Sequence, residues 1–274
     1  MTEPLFRVED LRVALPDPKR RSLIGRRPMV EILHGLNFEI AEGRVLGIVG
    51  ESGSGKSTLG RTLVRLLAPS AGRVRFAGQD ISHLDEATLR PLRRDLQVIF
   101  QDPLSSLNPR LTIGTIIGRP LRFHGIAGTT REAKTLAAAA LATVGLPEGF
   151  VARYPHELSG GQRQRVGIAR AIALKPRFVL ADEIVSGLDV SSKAQILTLL
   201  EQLRRELRLT VAFISHDLSV VRRLCDRVIV MRGGEILEDR PTAEVFAAPA
   251  HPYTAELKAA IPLPEVDPGW LAAG

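Results

Sequence analysis

Cysteine is almost missing from this sequence. Among 274 residues only Cys225 carries a thiol, so no disulfide can close within the chain. A Cys-based metal or iron–sulfur site is excluded for the same reason. Cys225 itself reads as a small core residue on an apolar helix face. Aromatics are scarce at 4%, which leaves the core to Leu, Val, Ile and Ala. No apolar run approaches the roughly 18 residues that a bilayer-spanning helix takes. The longest candidate, Leu136 to Val144, is short and Ala-rich. The first ten residues include acids and lack the apolar stretch of a secretory signal. These absences lead to the expectation of a cytosolic chain whose membrane role comes through a partner.

The sequence does have enough apolar content, 45%, to bury a sizeable core in one large domain or one domain with an inserted lobe. Its net charge of +7 favours anionic partners, namely nucleotides, nucleic acid or acidic lipid, without choosing among them. Leu5 to Leu15 and Val30 to Ile40 read as strands. The basic, proline-flanked segment 18–28 between them reads as a solvated loop, with a lipid-surface contact as the alternative. Short apolar runs at Arg44 to Val49, Leu96 to Phe100, Phe178 to Ala181 and Val211 to Ser215 alternate with helical stretches, which indicates a parallel sheet covered by helices. Arg227 to Met231 and Glu235 to Glu238 flank Gly233-Gly234 as a hairpin. Residues 101–159 hold turn signals and an Ala-rich helix near Arg131 to Val144, and read as an inserted helical lobe. The tail, 250–274, reads as an irregular C-terminal extension.

Gly50-Glu51-Ser52-Gly53-Ser54-Gly55-Lys56-Ser57 fits G-x-x-x-x-G-K-[ST] between a strand and a helix, with Thr58 next on that helix. Glycines let backbone N–H groups turn inward toward phosphate oxygens, and the helix start adds its positive dipole end. Lys56 can reach β and γ phosphates, and the Ser57 hydroxyl can ligate Mg²⁺. This motif alone means a P-loop NTPase, with kinases, GTPases and helicases still open. Phe178-Val-Leu-Ala-Asp182-Glu183 is a buried strand ending in two acids, where open α/β sheets bind ligands. Asp182 is placed to hold the metal and Glu183 to polarise an attacking water. Gln101 and His216 each follow a strand of the same sheet. Gln101 could ligate Mg²⁺ or sense the γ-phosphate, and His216 could bond that phosphate or the water.

The string Leu158-Ser159-Gly160-Gly161-Gln162 precedes a basic amphipathic helix, with Ser159 as its N-cap and the glycines exposing backbone donors. With this string in place, the chain resembles the ABC ATPase family over essentially its whole length. The motifs stand in family order: Walker A at Gly50 to Ser57, Q-loop at Gln101, signature at Leu158 to Gln162, Walker B at Phe178 to Glu183, D-loop at Ser186-Gly-Leu-Asp189 and H-loop at His216. Finer likeness to the oligopeptide, dipeptide and nickel importer subfamily rests on Phe100-Gln-Asp-Pro-Leu-Ser-Ser-Leu-Asn-Pro-Arg110, Tyr154-Pro-His-Glu-Leu158 and His251-Pro-Tyr-Thr254.

The resemblance implies an α/β fold: a RecA-like P-loop core with an N-terminal antiparallel β subdomain (1–100 and 160–249), a helical signature subdomain (101–159) and an extension (250–274). It implies ATP and Mg²⁺ as ligands, and a second ATP-binding subunit, identical or paralogous, whose site is completed across the seam by this chain's signature and Asp189. It further implies two transmembrane permease subunits, an extracytoplasmic solute-binding protein, and a place on the cytoplasmic face of the membrane. The cargo would be peptides or a related small solute such as nickel, and nucleic acid is not expected. The alternative is an ABC ATPase without a permease, such as an accessory protein of carbon–phosphorus lyase. Two departures are visible: Ile184 where the family usually has Pro, and Gly187 where Ala is commoner. The usual adenine-stacking aromatic is missing near Arg27 to Val30, which leaves Arg27 or Phe6 as candidates.

Overall fold

A computed structural model describes residues 3–17, 28–102 and 106–260. The N-terminal half contributes β1 (Phe6–Pro16), β2 (Met29–Ile40), β3 (Val45–Val49), α1 (Lys56–Leu63), β4 (Ala71–Phe76), β5 (Gln79–Asp80), α2 (Glu86–Leu92) and β6 (Leu96–Ile99). Helices α3 (Ile113–Phe123), α4 (Thr130–Thr143) and α5 (Gly160–Ile172) follow. The chain then returns through β7 (Phe178–Asp182), α6 (Val190–Leu207), β8 (Thr210–Ile214), α7 (Leu218–Leu224), β9 (Arg227–Arg232), β10 (Glu235–Pro241), α8 (Thr242–Ala247) and α9 (Pro252–Ala259).

Two sheets result. One is antiparallel, in the order β2-β1-β4-β5, and the other has six strands in the order β10-β9-β3-β8-β7-β6. In the six-stranded sheet every pairing is parallel except the β9–β10 hairpin. Strands β3, β7 and β8 are buried along their whole length, as near-continuous apolar strands covered on both faces must be. Strand β1 instead buries Phe6, Val8, Leu11 and Val13 and exposes residues between them, the pattern of a sheet with one wet face.

The period of two splits the core. Ile48, Leu180 and Ile214 point toward the antiparallel sheet and join Leu59 and Leu63 of α1. Val49, Val179 and Phe213 point the other way, into a core shared with Leu141 of the helical lobe, Leu200 of α6 and Val221 of α7. Cys225 belongs to this second core, and burial pushes its thiol far up from the usual range. In the lobe, Thr112 and Thr129 cap α3 and α4 through their side chains. Gly118 brings α3 close to Ala133 of α4, where an added Cβ would lie 3.2 Å from the alanine methyl.

Two expectations need correction. Phe6 cannot stack on a base: it is fully buried, 4.6 Å edge-on from Phe178 and 5.0 Å from Phe76. Holding that ring out of water contributes about 2–3 kcal/mol, so it is committed to the core. The tail is not irregular throughout, because Pro252–Ala259 forms α9 with His251 as its cap. Arg27 and most of the basic 18–28 segment lie outside the described residues, as does the stretch beyond 260.

Candidate active site

Strand β3 runs into Gly50, and the loop returns as α1. Gly50 sits at φ 148°, and an added Cβ would lie 2.1 Å from the Met231 carbonyl oxygen. Gly55 caps α1 at φ 101° and would strike Leu33 at 2.8 Å. Both positions therefore need glycine on conformation and on space. Ser52, Gly53, Gly55, Lys56, Ser57 and Thr58 line one wall of a cleft of about 480 Å³, and Ile32, Glu183 and His216 line the rest. Gly50, Glu51 and Ser54 shape the loop from behind. Ser54 is buried, and its carbonyl accepts from Gly234 N at 3.1 Å, tying the loop to the β9–β10 hairpin.

Lys56 is buried, and its Nζ donates to the carbonyls of Gly50 (2.8 Å) and Glu51 (2.7 Å), with Ser54 Oγ more distant at 3.4 Å. Burial pushes this ammonium below the usual lysine range, while Glu183, Asp182 and Glu51 pull it back. Ser57 Oγ donates to Asp182 Oδ1 at 3.3 Å. Burial raises the Asp182 carboxyl, and the Ser57 bond, Arg61 and Lys56 oppose that rise. The pair is a hydroxyl and a carboxylate, both hard oxygen donors, at the start of α1.

Glu183 follows the last residue of β7 with φ 48°, an uncommon conformation for a residue with a side chain. Its N–H donates to the Ile214 carbonyl at 3.0 Å, so the turn is pinned to the neighbouring strand β8. The carboxylate is half-buried, and Oε2 accepts from Gln101 Nε2 at 3.2 Å with His216 Nδ1 3.5 Å away. Gln101 also reaches Ser186 Oγ at 3.3 Å, and Ser186 in turn donates to the Glu183 carbonyl at 2.8 Å. Gln101, Glu183, Ser186 and His216 therefore form one connected group. Lys193 pairs with Asp217, which links the start of α6 to the residue after His216.

The Ser-Gly-Gly helix start lies elsewhere. Ser159 caps α5 in a reciprocal box, its Oγ accepting from Gln162 N at 3.3 Å and its N–H donating to Gln162 Oε1 at 3.0 Å. Leu158 is buried in the core, whereas Ser159 and Gly160 are exposed. Gly160 lines a separate cleft of about 520 Å³ with Gln101, Arg163, Ser186 and Gly187. No residue from 158 to 162 lines the P-loop cleft. Asp189 caps α6, accepting from Ser192 N at 2.9 Å, and remains exposed beside Val190.

Residues 33–186 match the family model described as ABC transporter. The chain belongs to the ABC transporter family. Among curated relatives of this ABC protein, a putative peptide import ATP-binding protein of Brucella ovis is 51% identical over 242 residues, 88% of this chain and 76% of that one. The oligopeptide transport ATP-binding protein AppF of Bacillus subtilis is 51% identical over 235 residues, 85% of this chain and 71% of its own. Among solved structures, a dimeric ATP-binding cassette in a post-hydrolysis state, bound to ADP and Pi, has a TM-score of 0.76 at 31% identity, covering 86% of this chain and 98% of that one. An ABC cassette is a nucleotide-binding ATPase, and the fold agrees with the expected P-loop core, antiparallel sheet and helical insertion.

Three contributors to this ABC site were not read as such from the sequence. Ile32 lines the cleft near the position expected to hold an aromatic, but it is an ordinary strand residue in the alternation of β2. Ser186 was visible only as part of the D-loop string, and Lys193 had no local signal at all.

Proposed function

We propose that this chain is the ATP-hydrolysing subunit of a peptide importer, working as one of two cassettes beneath a membrane permease. The observation that supports this best is the separation of two half-sites. The P-loop, Glu183 and His216 line one cleft, with Asp182 joined to it through Ser57, and Gly160 at the α5 start lines another. A helix N-terminus with exposed backbone donors suits an anion, and here the anion is the nucleotide of a second subunit. Gly50 to Thr58 form the phosphate cradle in cis, Leu158 to Gln162 complete the partner's site, and Asp189 sits at the seam.

Ser57 and Asp182 are the metal ligands, with the Gln101 side-chain oxygen as the third candidate. Among the described residues no group of three His, Cys, Asp or Glu side chains forms a metal cage. That sparse, all-oxygen donor set fits Mg²⁺, which takes one or two protein oxygens and completes its shell with phosphates and water. When bound, Mg²⁺ neutralises charge on the β and γ phosphates. Glu183 accepts the proton of the attacking water, and Gln101 and His216 hold its carboxylate in line.

Peptide uptake rests on the names of relatives that this chain matches over most of its length. Among the described residues no helix is long and apolar enough to cross a membrane, so a permease supplies the pathway. Its docking surface is the cleft of about 530 Å³ between β6 and α3, where Phe123 is 58% and Phe100 39% exposed. The chain then sits on the cytoplasmic face, with the solute-binding protein on the far side.

Purification of the tagged chain from detergent-solubilised membranes is expected to bring down a multispanning protein. Recovery only in a soluble complex, with no multispanning partner, would refute the importer assignment and favour an ABC ATPase without a permease. Within that complex, Ser159→Arg places a bulky cation at the α5 start and is expected to lower hydrolysis by about a hundredfold or more through loss of donors to the partner's phosphates. Binding of Mg-ATP by the variant chain's own P-loop should stay close to wild type in a fluorescent-nucleotide titration. Loss of that binding would show that the signature acts in cis.

A further inference from the structure

The His251-Pro-Tyr-Thr254 segment lies far from the nucleotide motifs in sequence, yet it touches the P-loop. His251 Nδ1 accepts from Tyr253 N at 3.1 Å, and the His251 N–H donates to the buried Glu238 carboxylate, so α9 starts at a fixed place. Tyr253 is thereby buried with its hydroxyl oxygen 2.9 Å from the Glu51 N–H that donates to it. The same peptide group has its other end on Lys56. Its N–H belongs to Glu51 and its C=O to Gly50, and that carbonyl accepts from Lys56 Nζ at 2.8 Å. A hydrogen bond on the N–H of a peptide polarises its C=O, and the two point in opposite directions. Tyr253, one peptide plane and Lys56 thus form a relay. Arg232 closes it from outside, its guanidinium 4.7 Å from the Tyr253 ring and its Nε 3.6 Å from Glu51 Oε1.

We infer that Tyr253 is a positioning residue for ATP binding: through the Gly50–Glu51 peptide it sets the reach of Lys56 toward the β and γ phosphates. This rests on the P-loop being the nucleotide site. A lysine ammonium has three donors: the loop carbonyls of Gly50 and Glu51 take two at 2.8 and 2.7 Å, and the third meets only Ser54 Oγ at a long 3.4 Å. The direction left for phosphate depends on where those carbonyls stand. The loop's first peptide has no ladder partner of its own, so the tyrosine hydroxyl supplies the hold. In this way α9 becomes part of the nucleotide cradle, with no atom at the phosphates.

The test uses the full chain in its purified complex and compares Tyr253→Phe with wild type by Mg-ATP titration, steady-state ATPase and thermal melting. The ring and its contact with Arg232 stay, and only the acceptor oxygen goes. The Kd and KM for ATP are expected to rise about three- to tenfold, the effect of one hydrogen bond, with kcat changed less than about twofold. Arg232→Gln, which frees the ring from the other side, is expected to shift KM in the same direction. Unchanged KM in both variants, or a lowered melting temperature and kcat with KM intact, would overturn the inference by making Tyr253 a packing residue only. Wild-type chain that fails to bind Mg-ATP would instead overturn the P-loop reading, and this inference with it.

Discussion

Glu183→Gln is expected to lower ATP hydrolysis by about two to four orders of magnitude while Mg-ATP still binds, the range over which a positioned general base acts. The substitution keeps the size of the side chain and removes only its ability to take a proton. Its surroundings argue for that role. The residue sits at φ 48°, pinned through its N–H to the Ile214 carbonyl, and Oε2 is shared between Gln101 Nε2 at 3.2 Å and His216 Nδ1 at 3.5 Å. A carboxylate merely capping a turn would not need three separate elements to aim it. On the proposed reading, in which two cassettes close around nucleotide and hydrolysis parts them, the variant should accumulate as a nucleotide-sandwiched dimer. Size-exclusion chromatography with Mg-ATP and the native partner supplied reads this directly. Turnover within about tenfold of wild type would remove Glu183 from the role of base.

Lys56→Ala should reduce hydrolysis by about a hundred- to a thousandfold, the scale seen when one preorganised donor to a developing anion is lost. Here the donor is a full charge, and its loss should weaken ATP binding as well. The variant is informative because it should not unfold the chain. Lys56 has no carboxylate in its hydrogen-bonding shell, only the Gly50 and Glu51 carbonyls and Ser54 Oγ. Burial already disfavours its charge. Removing a desolvated cation costs the fold little, so the melting temperature without nucleotide should hold while kcat collapses. Near-normal turnover in the purified complex would refute the phosphate-binding role, and a collapse of the melting temperature would recast Lys56 as a structural strut.

Much of this site was legible in the sequence because its parts are local. A strand, a glycine-rich turn and a helix start fall within the Val45–Leu63 segment, and each motif announces its own backbone geometry. The same holds for the Ser159 cap, whose partner Gln162 is three residues away. What stayed hidden is long-range. Helix α3 was obscured by Gly114, Gly118 and Pro120, which look like breakers, although the two glycines serve close packing against Val151 and Ala133 and the helix continues through Pro120. The linkage of Tyr253 to Glu51 spans 202 residues, and no periodicity reports it. Phe6 was misjudged because an aromatic near the motifs in sequence need not be near the cleft in space; the alternation of β1 turns it inward.

The signature string illustrates how one short word can answer to two readers. Leu158 looks into its own core, and its neighbours Ser159 and Gly160 look outward. Drift at position 158 is therefore judged by the volume and greasiness that this molecule's interior tolerates. Under the proposed arrangement, drift at 159 and 160 is judged by another molecule's bound nucleotide, and where the two cassettes are paralogues, by a gene that mutates independently. Such paralogues would be expected to keep these exposed positions in step with each other while their buried neighbours wander separately.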